Sequence, residues 1–120
     1  NQRLVPAPLE PRGALASHDP ATGVITLRLS TQMPGGARNT LAKDILDMAP
    51  EKIRVVVGDV GGGFGMKTGL YPEDAVVAWV ARQLGRPASL STIRASEFCA
   101  ILSISPFLTR YGFSAAITPK

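Results

Sequence analysis

The sequence predicts an α+β fold, a mixed sheet carrying two helices in the order β-β-α-β-α-β. Three observations predict it. Val24-Ile25-Thr26-Leu27-Arg28-Leu29 alternates and is rich in β-branched residues, the mark of a half-buried strand. Ala37, Leu41, Ile45 and Met48 recur at the spacing of one helix face, and so do Ala75, Val76, Trp79, Val80 and Leu84. A glycine-rich segment, 58–69, lies between a short apolar run and the second helical stretch.

Along the chain, Pro6, Pro8 and Pro11 make the start an extended lead-in, because proline fixes φ and has no N–H. A first strand is expected over 12–18. Asp19-Pro20-Ala21-Thr22-Gly23 then turns the chain, and 24–31 returns as the partner of a hairpin. Ser30 to Gly36 is a loop. The first helix, about three turns long, follows and is ended by Ala49-Pro50-Glu51. Ile53-Arg54-Val55-Val56-Val57 is nearly continuous in apolar residues, which predicts a strand buried on both faces. The second helix is expected over 73–84, with Pro72 near its first turn, Gly85-Arg86-Pro87 as its stop, and Trp79 in the core. Glu73 and Asp74 open that helix, where acids suit the dipole, and are not read as a catalytic pair. Ala88 to Thr92 is a further strand. The segment 99–120 holds only two charges, Arg110 and Lys120, and shows no clear period. It reads either as sheet lacking a partner or as exposed apolar surface.

Composition excludes several classes. The 120 residues suit one small domain or part of a larger one. A net charge of +4, with no two basic residues adjacent, gives no nucleic-acid patch. One cysteine, Cys99, allows no internal disulfide and no cysteine cluster, and the single histidine, His18, is expected at the surface. No apolar run approaches the ~20 residues of a membrane span. The chain starts at Asn1 without a signal-peptide layout, which suggests a fragment or a processed chain.

The segment Gly58-Asp59-Val60-Gly61-Gly62-Gly63-Phe64-Gly65-Met66-Lys67-Thr68-Gly69 carries most of the chemistry. Glycines in such a bend let another molecule approach the main chain and point bare N–H groups into a cleft. A nucleotide phosphate loop requires glycine before the lysine, where Met66 stands, and a dinucleotide fingerprint counted from Gly61 meets the same Met66. A tight strand-to-helix turn without a ligand is the third reading of the residues themselves.

Val60 to Lys67 resembles the G-G-G-F-G-x-K loop of the molybdopterin-binding large subunits of the xanthine dehydrogenase, aldehyde oxidase and carbon monoxide dehydrogenase family. Leu9-Glu10-Pro11-Arg12 is similar to that family's E-P-R element, and Ser30-Thr31-Gln32 to its S-T-Q loop. Asp59-Val60, Gly69-Leu70-Tyr71-Pro72-Glu73 and Leu84-Gly85-Arg86-Pro87 fit as well, so the resemblance covers residues 1 to about 90 in order.

The resemblance implies part of a molybdenum-cofactor-binding domain, with the metal held by the pterin dithiolene and by no protein ligand. It assigns catalytic roles to Gln32, beside the metal's apical oxo group, and to Phe64, covering the centre. It places Gly62, Gly63 and Gly65, together with Gln32 and Phe64, against the cofactor. Lys67 then holds the loop, meets an anion or lies on the surface. The implied activity is hydroxylation of an aldehyde or related small substrate with water as oxygen source. Electrons leave through iron–sulfur and flavin centres. The implied cofactor is molybdenum–molybdopterin, in its cytosine dinucleotide form. The implied partners are the rest of the large subunit, iron–sulfur and FAD subunits and a small-molecule substrate, with no nucleic acid and no membrane span. A cytoplasmic location is expected, the periplasm being the alternative.

Three departures accompany it. Thr68 stands where purine-oxidising members carry glutamate. The family stretch matching 90–98 lacks its acidic pair, and the general-base glutamate lies beyond this sequence. Residues 1–98 are thus expected to be part of the cofactor-binding domain and 99–120 an unrecognised tail, divergent, truncated or frame-shifted, and the chain alone is expected to be inactive. The competing function is a non-catalytic phosphate- or nucleotide-binding module built on the glycine-rich loop.

Overall fold

Asp19 makes the first reversal of the chain. Its Oδ1 accepts the Ala21 N–H (3.0 Å), its Oδ2 accepts the Thr22 hydroxyl (2.7 Å), and the Gly23 N–H donates to the Asp19 carbonyl (2.8 Å). The flanking runs pair as an antiparallel hairpin, β1 (Gly13–Asp19) with β2 (Val24–Leu29), Ala16 opposite Leu27. In this computed structural model, which describes residues 8–92 and 100–104, the hairpin lies inside a five-stranded sheet of order β3-β2-β1-β4-β5. β3 (Ile53–Val56) runs parallel to β2, β4 (Ala88–Thr92) antiparallel to β1, and β5 (Ala100–Ile104) antiparallel to β4. With helices α1 (Pro34–Thr40) and α2 (Pro72–Leu84) this is the mixed α+β architecture predicted, in the predicted order, plus β5 within the tail where no period was visible. Residues 1–7, the stretch 93–99 with Cys99, and 105–120 lie outside the described residues, and with them fall the expectations for the lead-in, the 90–98 stretch and most of the tail. No helix among the described residues is long and apolar enough to cross a membrane.

Both helices depart from the predicted faces, for identifiable reasons. After α1 the backbone continues as a π turn, Leu41–Ile45, in which the Leu46 N–H reaches back five residues to the Leu41 carbonyl (3.0 Å). The extra residue per turn moves the register by one position. Leu46 is therefore buried, while Ile45, expected on the buried face, is exposed, and the helical run stops before Asp47, at φ +48°, short of Pro50. On α2 the buried arc is Asp74, Ala75, Val77, Ala78 and Ala81, and the predicted core residue Trp79 is 51% exposed, with Val76 and Leu84 exposed beside it. The sheet explains this: α2 packs on β1, β4 and β2, and Ala14, Ala16 and Ala88 line the surface below it. A floor of methyl groups admits a helix that also presents alanines. A ring as large as Trp79 would hold the two layers apart.

β3 is also corrected. Among the described residues it has β2 on one side and no strand on the other, so Ile53 is buried, Arg54 is exposed, and Val55 and Val56 are half-buried. An apolar run at a sheet edge reads the same in sequence as one inside it. His18, expected at the surface, is half-buried, its Nδ1 enclosed without a hydrogen-bond partner among the described residues. The core closes between the inward side chains of β1 and β2, Ile53, Ala88 and Leu90, the alanine face of α2, and Leu41, Ala42 and Leu46. Gly85 in the left-handed region (φ +59°) ends α2 as predicted.

Candidate functional site

Because β2 and β3 run parallel, their carboxyl ends emerge side by side, and β1 begins at the same edge, with Ala14 opposite Leu29. Three segments far apart in the chain therefore meet there: Pro8 to Glu10, the Ser30-Thr31-Gln32 loop, and the glycine bend. The carboxyl edge of parallel strands is where open sheets with helices place their ligands.

The bend is tied at both ends to one carboxylate oxygen. Glu10 Oε2 accepts the Gly61 N–H (2.7 Å), the Ser30 hydroxyl (2.7 Å) and the Lys67 ammonium (2.8 Å). The Lys67 bond, then those of Ser30 and Gly61, hold the Glu10 carboxyl down at a pKa of about 2, from an ordinary 4.5. Of the three fates open to Lys67 in the sequence, the structure shows the first. It is 1% exposed and holds the loop, with further bonds from its Nζ to Ser30 Oγ (2.9 Å) and the Glu10 carbonyl (3.2 Å). In the sequence Glu10 and Ser30 stand out only as members of short motifs. That they share the lysine became visible in three dimensions.

Gln32 sits beneath the bend. Its N–H donates to the Lys67 carbonyl (2.8 Å), which also accepts the Thr31 hydroxyl (2.9 Å). Its side-chain Oε1 accepts the N–H groups of Gly65 (3.1 Å) and Lys67 (3.3 Å). An amide has one oxygen and one NH₂ group, so Nε2, which has no acceptor among the described residues, can only donate. Gly63 lies so close over this side chain that a Cβ there would come 2.5 Å from Gln32 Cδ. A residue with any side chain at 63 would push the glutamine out.

The outer side of the bend differs. The N–H groups of Gly61, Gly65 and Lys67 are taken by Glu10 and Gln32, and that of Met66 by the Gly63 carbonyl (2.8 Å). The N–H groups of Gly62, Gly63 and Phe64 find no acceptor among the described residues. The expectation of bare amides thus narrows to these three. Phe64 has φ +49°, a region unfavourable for a residue with a Cβ, and its side chain is 70% exposed. Strain of order 1–3 kcal/mol that sets a large ring in solvent is characteristic of a ligand clamp. Gly65, at φ +83°, has open space where its Cβ would be. Thr68 turns its hydroxyl onto the Gly65 carbonyl (3.1 Å), and Tyr71 donates its hydroxyl to the Met66 carbonyl. Behind Tyr71, Arg12 stacks on its ring (3.7 Å to the centroid) and pairs with Glu73 (2.6 Å). Asp74 accepts the Tyr71 N–H (3.1 Å), and burial pushes its carboxyl pKa up.

Free amides beside a projecting aromatic ring, with a donor-only amide nitrogen next to them, fit a flat, polar, anionic-edged group such as a metallated pterin. A family model described as molybdopterin cofactor-binding domain matches residues 1–117. The chain is 41% identical over 86 residues to the carbon monoxide dehydrogenase large chain of Hydrogenophaga pseudoflava, covering 71% of this chain and 10% of that one. It is 35% identical over 80 residues to the 6-hydroxypseudooxynicotine dehydrogenase complex subunit gamma of Paenarthrobacter nicotinovorans, covering 67% and 10%. Its fold overlays the crystal structure of quinoline 2-oxidoreductase from Pseudomonas putida 86 with a TM-score of 0.70 at 40% identity, over 72% of this chain and 11% of that chain. The chain thus spans about a tenth of the length of the relatives it matches.

Proposed function

The chain belongs to the molybdopterin cofactor-binding domain family, whose members include the large subunits of molybdenum-dependent oxidoreductases, and we propose that it forms one wall of the cofactor site in such a subunit. The single observation that supports this best is the Gln32 side chain, gripped through its oxygen by the glycine bend while its nitrogen has no acceptor among the described residues. In this reading Gln32 Nε2 donates to the oxo edge of the metal centre and orients it, a fixed dipole that needs no reorganisation. The main chain at Gly62, Gly63 and Gly65 lies along the cofactor and Phe64 shields it. Residues 1–98 belong to the cofactor-binding unit. When bound, the molybdenum–pterin group, in its cytosine dinucleotide form, supplies hydroxylation with water as oxygen source. The substrate class is an aldehyde or a related small electron-poor molecule. The related proteins are named for carbon monoxide, quinoline and 6-hydroxypseudooxynicotine, which are also small molecules. Iron–sulfur and FAD subunits receive the electrons, and the assembly works in the cytoplasm. This chain alone is inactive, because one wall does not close a pocket.

The competing phosphate- or nucleotide-binding module would have to hold its anion with backbone N–H groups alone, because the Lys67 ammonium is enclosed and turned inward. The deciding measurement is metal and pterin analysis of the complete large subunit containing this domain. Molybdenum and pterin near one per subunit are expected. Absence of both, with a nucleotide raising the melting temperature, would favour the module instead.

A further inference from the structure

We propose that Lys67, clamped by Glu10 and Ser30, is the positioning residue of this site, setting the Gln32 amide with its nitrogen outward while making no contact with the cofactor itself. The proposal rests on the cofactor reading above and deepens it.

Three observations carry it. The first is saturation. An ammonium has three N–H donors. Lys67 Nζ has three acceptors in reach, Glu10 Oε2 (2.8 Å), Ser30 Oγ (2.9 Å) and the Glu10 carbonyl (3.2 Å), and its side chain is 0% exposed. No donor is left for a phosphate or an oxo group. The second is the coupling of this anchor to the glutamine. The main chain of the same residue accepts the Gln32 N–H at its carbonyl (2.8 Å) and donates its own N–H to Gln32 Oε1 (3.3 Å). Any displacement of the lysine moves both ends of Gln32. The third is closure. Glu10 Oε2 binds Gly61 at the start of the bend and Lys67 at its end, and Ser30, two residues before Gln32, donates to the same oxygen (2.7 Å). One atom thus fixes the bend's two feet and the loop below it, and the spacing between them seats Gly63 on the Gln32 side chain. Removing the buried ammonium would leave the Glu10 carboxylate and the Ser30 hydroxyl without their partner, so the arrangement depends on the lysine.

The test uses the complete large subunit, assembled with its partners, in wild-type form and as Lys67→Met and Ser30→Ala. Lys67→Met keeps the length of the side chain and removes its donors. Its Gly61, Gly65 and Lys67 amides should exchange hydrogen for deuterium about tenfold faster or more, because those bonds open locally. Turnover should fall on the order of 10²-fold with KM changed less than about threefold, the pattern of a misplaced group acting beyond ground-state binding. The electron paramagnetic resonance signal of the part-reduced molybdenum should also change shape, which loss of stability alone would not cause. Ser30→Ala removes one bond of the clamp and should shift each readout in the same direction by a smaller factor. It decides the matter if Lys67→Met does not fold. Unchanged exchange at Gly65 and Lys67, or a rise in KM at constant turnover, overturns the positioning role and makes Lys67 a binding residue. A wild-type subunit without molybdenum or pterin overturns the cofactor reading instead, while the exchange rates still decide on the clamp.

Discussion

Glu10 is the side chain on which the site's acid sensitivity turns. Its carboxyl, held down by Lys67, Ser30 and the Gly61 N–H, has a pKa of about 2 in the folded chain against an ordinary 4.5. A depressed acid contributes stability that is complete above its unfolded pKa and is lost as pH falls through the folded value. The window is therefore pH 4.5 down to about 2. Asp74 works in the opposite sense: burial raises its pKa, so its ionisation costs stability as pH rises through the raised value. Comparing melting temperatures of the wild type with Glu10→Gln isolates the first effect. The variant should be less stable at neutral pH by about 1–2 kcal/mol, under the range for fully buried charged hydrogen bonds because the carboxylate is a third exposed. The gap should close between pH 4.5 and 2, and a gap constant over that range would refute the assignment. The letters of this cluster were all present in the sequence as Glu10, Ser30, Gln32, Gly63 and Lys67. What linear spacing did not carry was which of them touch. The fate of Lys67 depended on the pairing of strands whose ends bring Glu10 to it.

Among the elements, α2 shows how a period can be right and a face wrong. The spacing located the helix and both its ends, Pro72 at the start and Gly85 at the stop. It placed Val76, Trp79 and Leu84 with Ala75 on the buried stripe, whereas the arc that packs on β1, β4 and β2 is mostly small, Ala75, Ala78 and Ala81 with Val77, and the core it joins includes Ala14, Ala16 and Ala88. Hydrophobicity ranks a residue, but the gap between layers selects its size. Ala78→Leu should consequently destabilise the chain by about 1–3 kcal/mol through overpacking, measured by denaturant unfolding. A neutral result would mean the layers are looser than the burial of Ala78 indicates. The π turn at 41–45 is a second case. A helical wheel assumes one period throughout, so the one-residue slip that buries Leu46 in place of Ile45 has no trace in the pattern.

At the scale of the molecule, the described residues form two layers, and the outer arc of α2 carries Val76, Trp79 and Leu84 in solvent. Surface apolar groups of this size on one arc make the isolated chain prone to associate. Trp79→Lys should lower self-association seen by light scattering while changing stability by no more than about 0.5 kcal/mol, as for a surface substitution. A large fall in melting temperature would show that Trp79 is core after all. The fold class, the first hairpin and the order of elements up to β4 were legible because each of these elements has its own local period, whereas β5, in a stretch without one, was not. The position of β3 at an edge was not, since that depends on what lies beside it. The site itself closes loops of great length: Glu10 meets Lys67 across 57 residues and Gly61 across 51, and Gln32 meets Gly65 across 33. Chain segments so distant come together only after the hairpin and the parallel pair have aligned, since the entropy of closure is spent before those contacts return anything. These contacts are consequently expected to form late in folding, so that substitutions at Glu10 or Gln32 should speed unfolding and leave the folding rate nearly unchanged.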